Sequence, residues 1–161
     1  NTALVEANLS ESRKETIKNK TSASTSPKEI TSDQLSEIKV SELKEGQTIR
    51  INSLFFEMDK SVITSDSKNT LEEILSFMSK NPGVVVEIGG HTNGLCSDVY
   101  CDELSGARAK SVAMYLINKG IPTERVQYKG YGKRKPVSSN ETPEGRMQNQ
   151  RVELKIISLG I

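Results

Sequence analysis

The clearest chemistry in this sequence lies in Arg108 and in the polar loop from His91 to Asp98 that precedes it. A guanidinium presents a planar fork of donors that matches a carboxylate through two parallel hydrogen bonds, which an ammonium does not copy. Cys101, Leu104 and Arg108 are spaced i, i+3 and i+7, so on a helix beginning near Asp98 they share one face, with Arg108 looking back toward the loop. The competing role for Arg108 is a structural ion pair with Asp98, Asp102 or Glu103. Asn93 can donate to a carboxylate or accept from an ammonium, and the pair Asn93-Gly94 equally suits a plain turn. His91 has no second His, no thiolate at ligand spacing and no paired base, and reads as a hydrogen-bonded strand end. Cys96 and Cys101 with that one His are too few for a zinc shell; pairing with each other and packing as two free thiols both stay open. No metal site and no cofactor are expected.

These residues need a strand and a helix to hold them. Val84-Val85-Val86-Glu87-Ile88 is a short β-branched run flanked by glycines, as expected of a central strand that delivers His91 and Asn93 to its carboxyl end. In an open α/β sheet the crevice beyond that end is where ligands usually bind. Ser97 can cap the following helix, which carries Ala109, Val112, Ala113, Leu116 and Ile117 on one face and stops at Lys119-Gly120 before Pro122. Upstream, Thr48-Ile49-Arg50-Ile51 alternates as a half-buried strand. Ser65 can open a helix with Leu71, Ile74, Leu75 and Met78 on its apolar face, stopped by Asn81-Pro82-Gly83. Downstream, residues 125–132 read as a strand, followed by a long basic loop, a helical turn over Pro143 to Gln148 and a last strand from Arg151 to Ile156.

Composition bounds the partners. Lys and Arg number 22 against 21 acids, a net charge of +1, so there is no electrostatic footprint of a nucleic-acid binder. The apolar fraction of 34% is low, and the deficit falls on residues 1–36, a polar stretch read as a linker, disordered or loosely helical, ahead of a folded domain over residues 37–161. No run approaches the length of a membrane span, and a chain opening on Asn1 reads as a mature or trimmed fragment. Nucleophile elbow, phosphate loop and paired catalytic carboxylates are all missing: Ser105-Gly106 falls inside a helix and Gly130-Tyr131-Gly132 precedes none. An enzyme is therefore not expected.

Thr92-Asn93, Cys96, Cys101, Leu104-Ser105 and Arg108-Ala109 follow without a gap the motif of the OmpA-like carboxyl-terminal domain, the peptidoglycan-binding module of outer-membrane proteins, lipoproteins and flagellar stator proteins. Leu54-Phe55-Phe56-Glu57-Met58-Asp59-Lys60-Ser61 resembles that family's first-strand signature. Gly130-Tyr131-Gly132, Glu144-Gly145-Arg146, Asn149 and Arg151 extend the resemblance over about residues 43 to 157. Three signature positions differ: Asn93 stands for the motif Asp, Cys96 for Gly and Cys101 for Asn; the usual Asn-Arg-Arg-Val has also become Asn149-Gln150-Arg151-Val152. In the family the motif Asp takes the ammonium of diaminopimelate in the peptide stem and the motif Arg takes its carboxylate, so the resemblance leaves the Arg half intact.

The order of the strands and helices gives a two-layer α/β (α+β) sandwich: a mixed four-stranded sheet with helices on one face, in βαβαββ order with an extra amino-terminal strand or hairpin. The resemblance implies non-catalytic binding of a diaminopimelate-type peptidoglycan stem by Thr92, Asn93, Asp98, Leu104, Arg108 and Arg151. The compartment would be the oxidising periplasm, at an outer membrane reached through a part of the protein outside this chain. Two cysteines introduced together in one loop are then most economically a Cys96–Cys101 disulfide. The rival readings are a degenerate module serving protein contacts and a cell-wall hydrolase.

Overall fold

The computed structural model describes residues 30–160, and most of the segment read as a linker lies outside them. Its last residues, 30–36, are packed: Leu35 is buried in the core, Ser32 is buried in a single 3-10 turn (Ser32–Gln34), and its hydroxyl accepts from the Asn52 amide at 2.9 Å.

Four strands and three helices follow: β1 (Thr48–Ile51), α1 (Lys68–Lys80), β2 (Val85–His91), α2 (Asp98–Asn118), β3 (Val126–Gly130), α3 (Pro143–Asn149) and β4 (Arg151–Ser158). The strands form one mixed sheet in the order β1-β4-β2-β3, with β4 antiparallel to both β1 and β2 and β3 parallel to β2. Alternation decides its two faces. Ile49, Ile51, Val86, Ile88, Val152, Leu154 and Ile156 turn to one side and are buried, joined there by Ile74, Phe77 and Met78 of α1 and by Ala109, Val112, Ala113 and Leu116 of α2. The other face carries Thr48, Glu87, His91, Glu153 and Lys155. The mixed sheet covered by helices on one side is thus the architecture that the sequence periodicity implies.

One detail differs from the sequence expectation. The extra amino-terminal strand is present as β1, with an isolated parallel bridge from Thr31 to Arg50 beside it, but residues 54–61 form no strand. Ser53 and Asp59 adopt left-handed backbone conformations (φ 55° and 54°), which fold the segment back on itself so that it pairs locally, through the bridge Phe56–Ile63 and the Thr64 amide on the Phe55 carbonyl. The loop so formed becomes one wall of the candidate site.

The helix α2 lies unusually close to the sheet at its amino-terminal half. A Cβ added at Gly90 would stand 2.1 Å from the Ser105 carbonyl oxygen, and one at Gly130 would stand 2.5 Å from the Gly106 amide nitrogen. Backbone meets backbone there, so the glycines set how deeply α2 sits and hence where Leu104 and Arg108 emerge.

Candidate functional site

At the carboxyl end of β1 and the start of β4, a groove of about 610 Å³ opens between the loop 52–59, α2 and the α3–β4 junction. Leu104, Arg108 and Arg151 line it, with Arg50 and with Phe55, Met58 and Met147 as exposed apolar walls. The structure therefore gathers three of the six expected ligand-binding residues. Thr92, Asn93 and Asp98 do not line this groove; Thr92 and Asn93 belong to the loop after β2, and Asp98 opens α2.

Arg108 is half-buried. Its Nε donates to the Lys60 carbonyl at 3.0 Å and its guanidinium lies 5.0 Å from the centre of the Phe56 ring, so the loop 54–60 grips it from above. Burial pushes its proton affinity down, and the charges of Asp59 and Tyr100 act the other way. Among the described residues it makes no salt bridge. Two of its expected structural partners are engaged elsewhere: Asp98 is exposed and pairs with Lys133 at 3.4 Å, and Asp102 receives both terminal nitrogens of Arg134, which holds its carboxyl below the usual range. The terminal nitrogens of Arg108 have no acceptor among the described residues, and Arg108 lines the groove.

Arg151 is the opposite case. Its side chain is 5% exposed and every nitrogen is used: Nε donates to Glu153 at 2.6 Å, Nη1 to the Asn149 carbonyl at 3.1 Å and Nη2 to the Lys135 carbonyl at 3.0 Å. Glu153 also faces His91 Nε2 at 3.3 Å. Burial alone would raise the Glu153 carboxyl, but the hydrogen bonds from His91 and Arg151 outweigh it and bring it down to about 2. His91 is buried at the strand end, as its isolation in the sequence implies, and stacks on Tyr131 with ring centres 5.0 Å apart. Its Nδ1 has no partner among the described residues.

The loop after β2 is fastened from several sides. Thr92 is buried and its amide donates to the Gly132 carbonyl at 2.9 Å. The Asn93 Oδ1 accepts from the Leu95 amide at 3.0 Å, closing a small turn. Cys96 and Cys101 are joined in a disulfide with Cα atoms 5.6 Å apart, well inside the permitted range. Ser97 caps α2, its hydroxyl accepting from the Tyr100 amide at 3.3 Å. Sequence reasoning missed one fastening. Gly94 donates to Asn140 Oδ1 at 2.9 Å, and that oxygen also accepts from Asn149 Nδ2 at 2.8 Å. Asn140 lies in a polar loop with no local signal of this role. Among the described residues no group of three His, Cys, Asp or Glu side chains is placed to hold a metal ion.

Comparison with known proteins places this architecture. The OmpA family model matches residues 55–150, and the chain belongs to that family, whose domains are non-catalytic. It is 35% identical over 112 residues to outer membrane porin F of Pseudomonas fluorescens, a match that takes in 69% of this chain and 34% of the porin. It is 36% identical over 86 residues to the peptidoglycan-binding protein ArfA of Mycobacterium bovis, covering 53% of this chain and 26% of that protein. Among solved structures it resembles the cell wall anchor of the T6SS from Pseudomonas aeruginosa, with a TM-score of 0.58 and 28% identity over 68% of this chain and 78% of that one. The chain thus spans only about a third of the porin, and corresponds to one module of it.

Proposed function

We propose that this domain binds the peptide stem of peptidoglycan without cleaving it, in the periplasm, and so ties an outer membrane or an outer-membrane partner to the wall. The observation that carries the reading is Arg108: a half-buried guanidinium, anchored through Nε, with its terminal nitrogens unclaimed by any described carboxylate, in the lining of a groove. Such a group costs free energy to desolvate, and a ligand carboxylate bound by both terminal nitrogens would offset that cost. Leu104 and Phe56 would cover the ligand's apolar part. Arg151, each of its nitrogens bonded once and its charge paired with Glu153, would hold the floor of the groove, while Thr92 and Asn93 would shape the loop after β2 and Asp98 the start of α2. Family membership and the peptidoglycan-binding relative support the same ligand class.

The test is sedimentation of the purified domain with intact sacculi, for the parent and for Arg108→Ala. Co-sedimentation lost in the variant and no soluble muropeptides in the supernatant are expected. Released fragments would instead support the hydrolase reading.

A further inference from the structure

The strap formed by residues 30–36 fastens on one residue, Asn52. The Asn52 amide donates to Ser32 Oγ at 2.9 Å, its carbonyl accepts from the same hydroxyl at 3.5 Å, and its Nδ2 donates to Asp33 Oδ2 at 3.2 Å. Two residues upstream of Asn52, the Arg50 amide donates to the Ile30 carbonyl at 3.1 Å. Ser32 is completely buried and Leu35 is anchored in the core, so the strap is itself held in place. Strap and Asn52 both precede residues 55–150, the part of the chain that the family model matches.

Asn52 is where the wall of the groove begins. Ser53 follows it in the left-handed conformation (φ 55°), which a residue other than glycine keeps only where its surroundings impose it. Thr70 Oγ1 lies 3.1 Å from both the Asn52 and the Ser53 carbonyl oxygens, but it has one proton to give them. Among the described residues the Asn52 amide donates only to Ser32. From Ser53 the chain enters the loop 54–60, which supplies both contacts that fix Arg108: the Phe56 ring, 5.0 Å from the guanidinium, and the Lys60 carbonyl, which accepts from Nε at 3.0 Å.

We propose that Ser32 and Asp33 are positioning residues for the ligand: by clasping Asn52 they hold Ser53 in its left-handed turn and so keep the loop 54–60 closed over Arg108. The inference rests on the stem-peptide reading above. Neither residue lines the groove, so their effect on a ligand runs through Asn52, which does. Without the clasp the loop opens in the free chain and the ligand must close it again, which weakens binding. A clasp that only stabilised the fold would lower the melting temperature and leave the affinity alone. The coupling is reciprocal: if the clasp tightens binding, bound ligand tightens the clasp by the same factor.

The experiment uses the whole chain and a stem tripeptide ending in a diamino diacid, with calorimetric titration of the parent, Ser32→Ala, Ser32→Ala with Asp33→Ala, and Arg108→Ala. Ser32→Ala is expected to bind about fivefold more weakly and the double variant about tenfold, the worth of one and of two hydrogen bonds partly open to solvent. Amide hydrogen exchange of the parent gives the reciprocal readout. The Gln34 and Leu35 amides donate within the strap, to the Thr31 and Ser32 carbonyls, and neither residue lines the groove, so slower exchange there on adding peptide reports the clasp and not ligand contact. That measurement needs no variant and stands even if Ser32→Ala fails to fold. Parent-like affinity in the folded double variant, or exchange at Gln34 and Leu35 indifferent to peptide, overturns the positioning role; if binding is still abolished by Arg108→Ala, the stem-peptide reading survives. If the peptide does not bind the parent chain, both fall.

Discussion

Replacing Asn149 should disconnect the long loop after β3 from the candidate site, and the size of the effect can be worked from its contacts. The side chain is completely buried and all four of its hydrogen-bonding positions are used. Oδ1 accepts from the amides of Val137 at 2.8 Å and Ser138 at 3.0 Å, and Nδ2 donates to the Ser138 carbonyl at 2.9 Å and to Asn140 Oδ1 at 2.8 Å. Asn149→Ala removes all four at a net loss of about 0.5–1.5 kcal/mol each, an upper sum of about 6 kcal/mol. The loop borders solvent, so water will re-satisfy part of the freed backbone, and about 2–4 kcal/mol is the expected destabilisation in urea unfolding, with little change in m. The consequence nearest the site is at Gly94, whose amide relies on Asn140 and should exchange with deuterium faster in the variant. Asn149→Asp keeps the two accepting bonds but turns a carboxylate oxygen on two acceptors, so its stability relative to the parent should recover as falling pH protonates it. A stability within about 0.5 kcal/mol of the parent for Asn149→Ala, together with unchanged exchange at Gly94, would refute the reasoning.

Reduction of Cys96–Cys101 opens a very small ring, worth about 2 kcal/mol by chain entropy, so calorimetry should show a melting temperature lowered by only several degrees and a proportionally larger loss of ligand affinity; an affinity indifferent to reductant would contradict this. Because the Glu153 carboxyl is held at about 2 in the folded state against 4.5 as its ordinary value, its contribution is complete above pH 4.5 and is lost as pH falls through about 2. Glu153→Gln should therefore flatten the stability profile in that window by up to about 3 kcal/mol, and a profile parallel to the parent's would count against the His91–Glu153–Arg151 chain. Gly90→Ala places a methyl against the Ser105 carbonyl and should cost about 1–3 kcal/mol or more by lifting α2 off the sheet, measured by thermal unfolding; a neutral substitution would show that the close approach is not maintained.

Much of this arrangement is legible in the residue pattern because it follows from periodicity. The run at residues 84–88 and the spacing Ala109, Val112, Ala113, Leu116 specify a central strand and the helix covering it, and the structure buries all four helix residues. The placement of Arg108 follows from the same helical phase. The local pairing of residues 54–61 was not legible, since two left-handed residues, Ser53 and Asp59, carry no glycine to announce them. Nor was the use made of Arg151 and Asn149, because their partners are backbone groups 11 to 16 residues away in a loop without periodic pattern. Residue type showed that Arg108 wants a carboxylate; only the fold shows that Lys133 and Arg134 have already taken two of the acids beside it.

The central claim is that Arg108 holds a ligand carboxylate, and the most direct measurement is the affinity of a stem peptide for the parent chain, Arg108→Lys and Arg108→Ala under one buffer. Loss of a bidentate, partly shielded contact predicts about 2–5 kcal/mol weaker binding for the alanine variant and only partial recovery by lysine, whose single ammonium cannot reproduce the fork. Equal affinity of all three proteins, each with an unchanged melting temperature, would contradict the account.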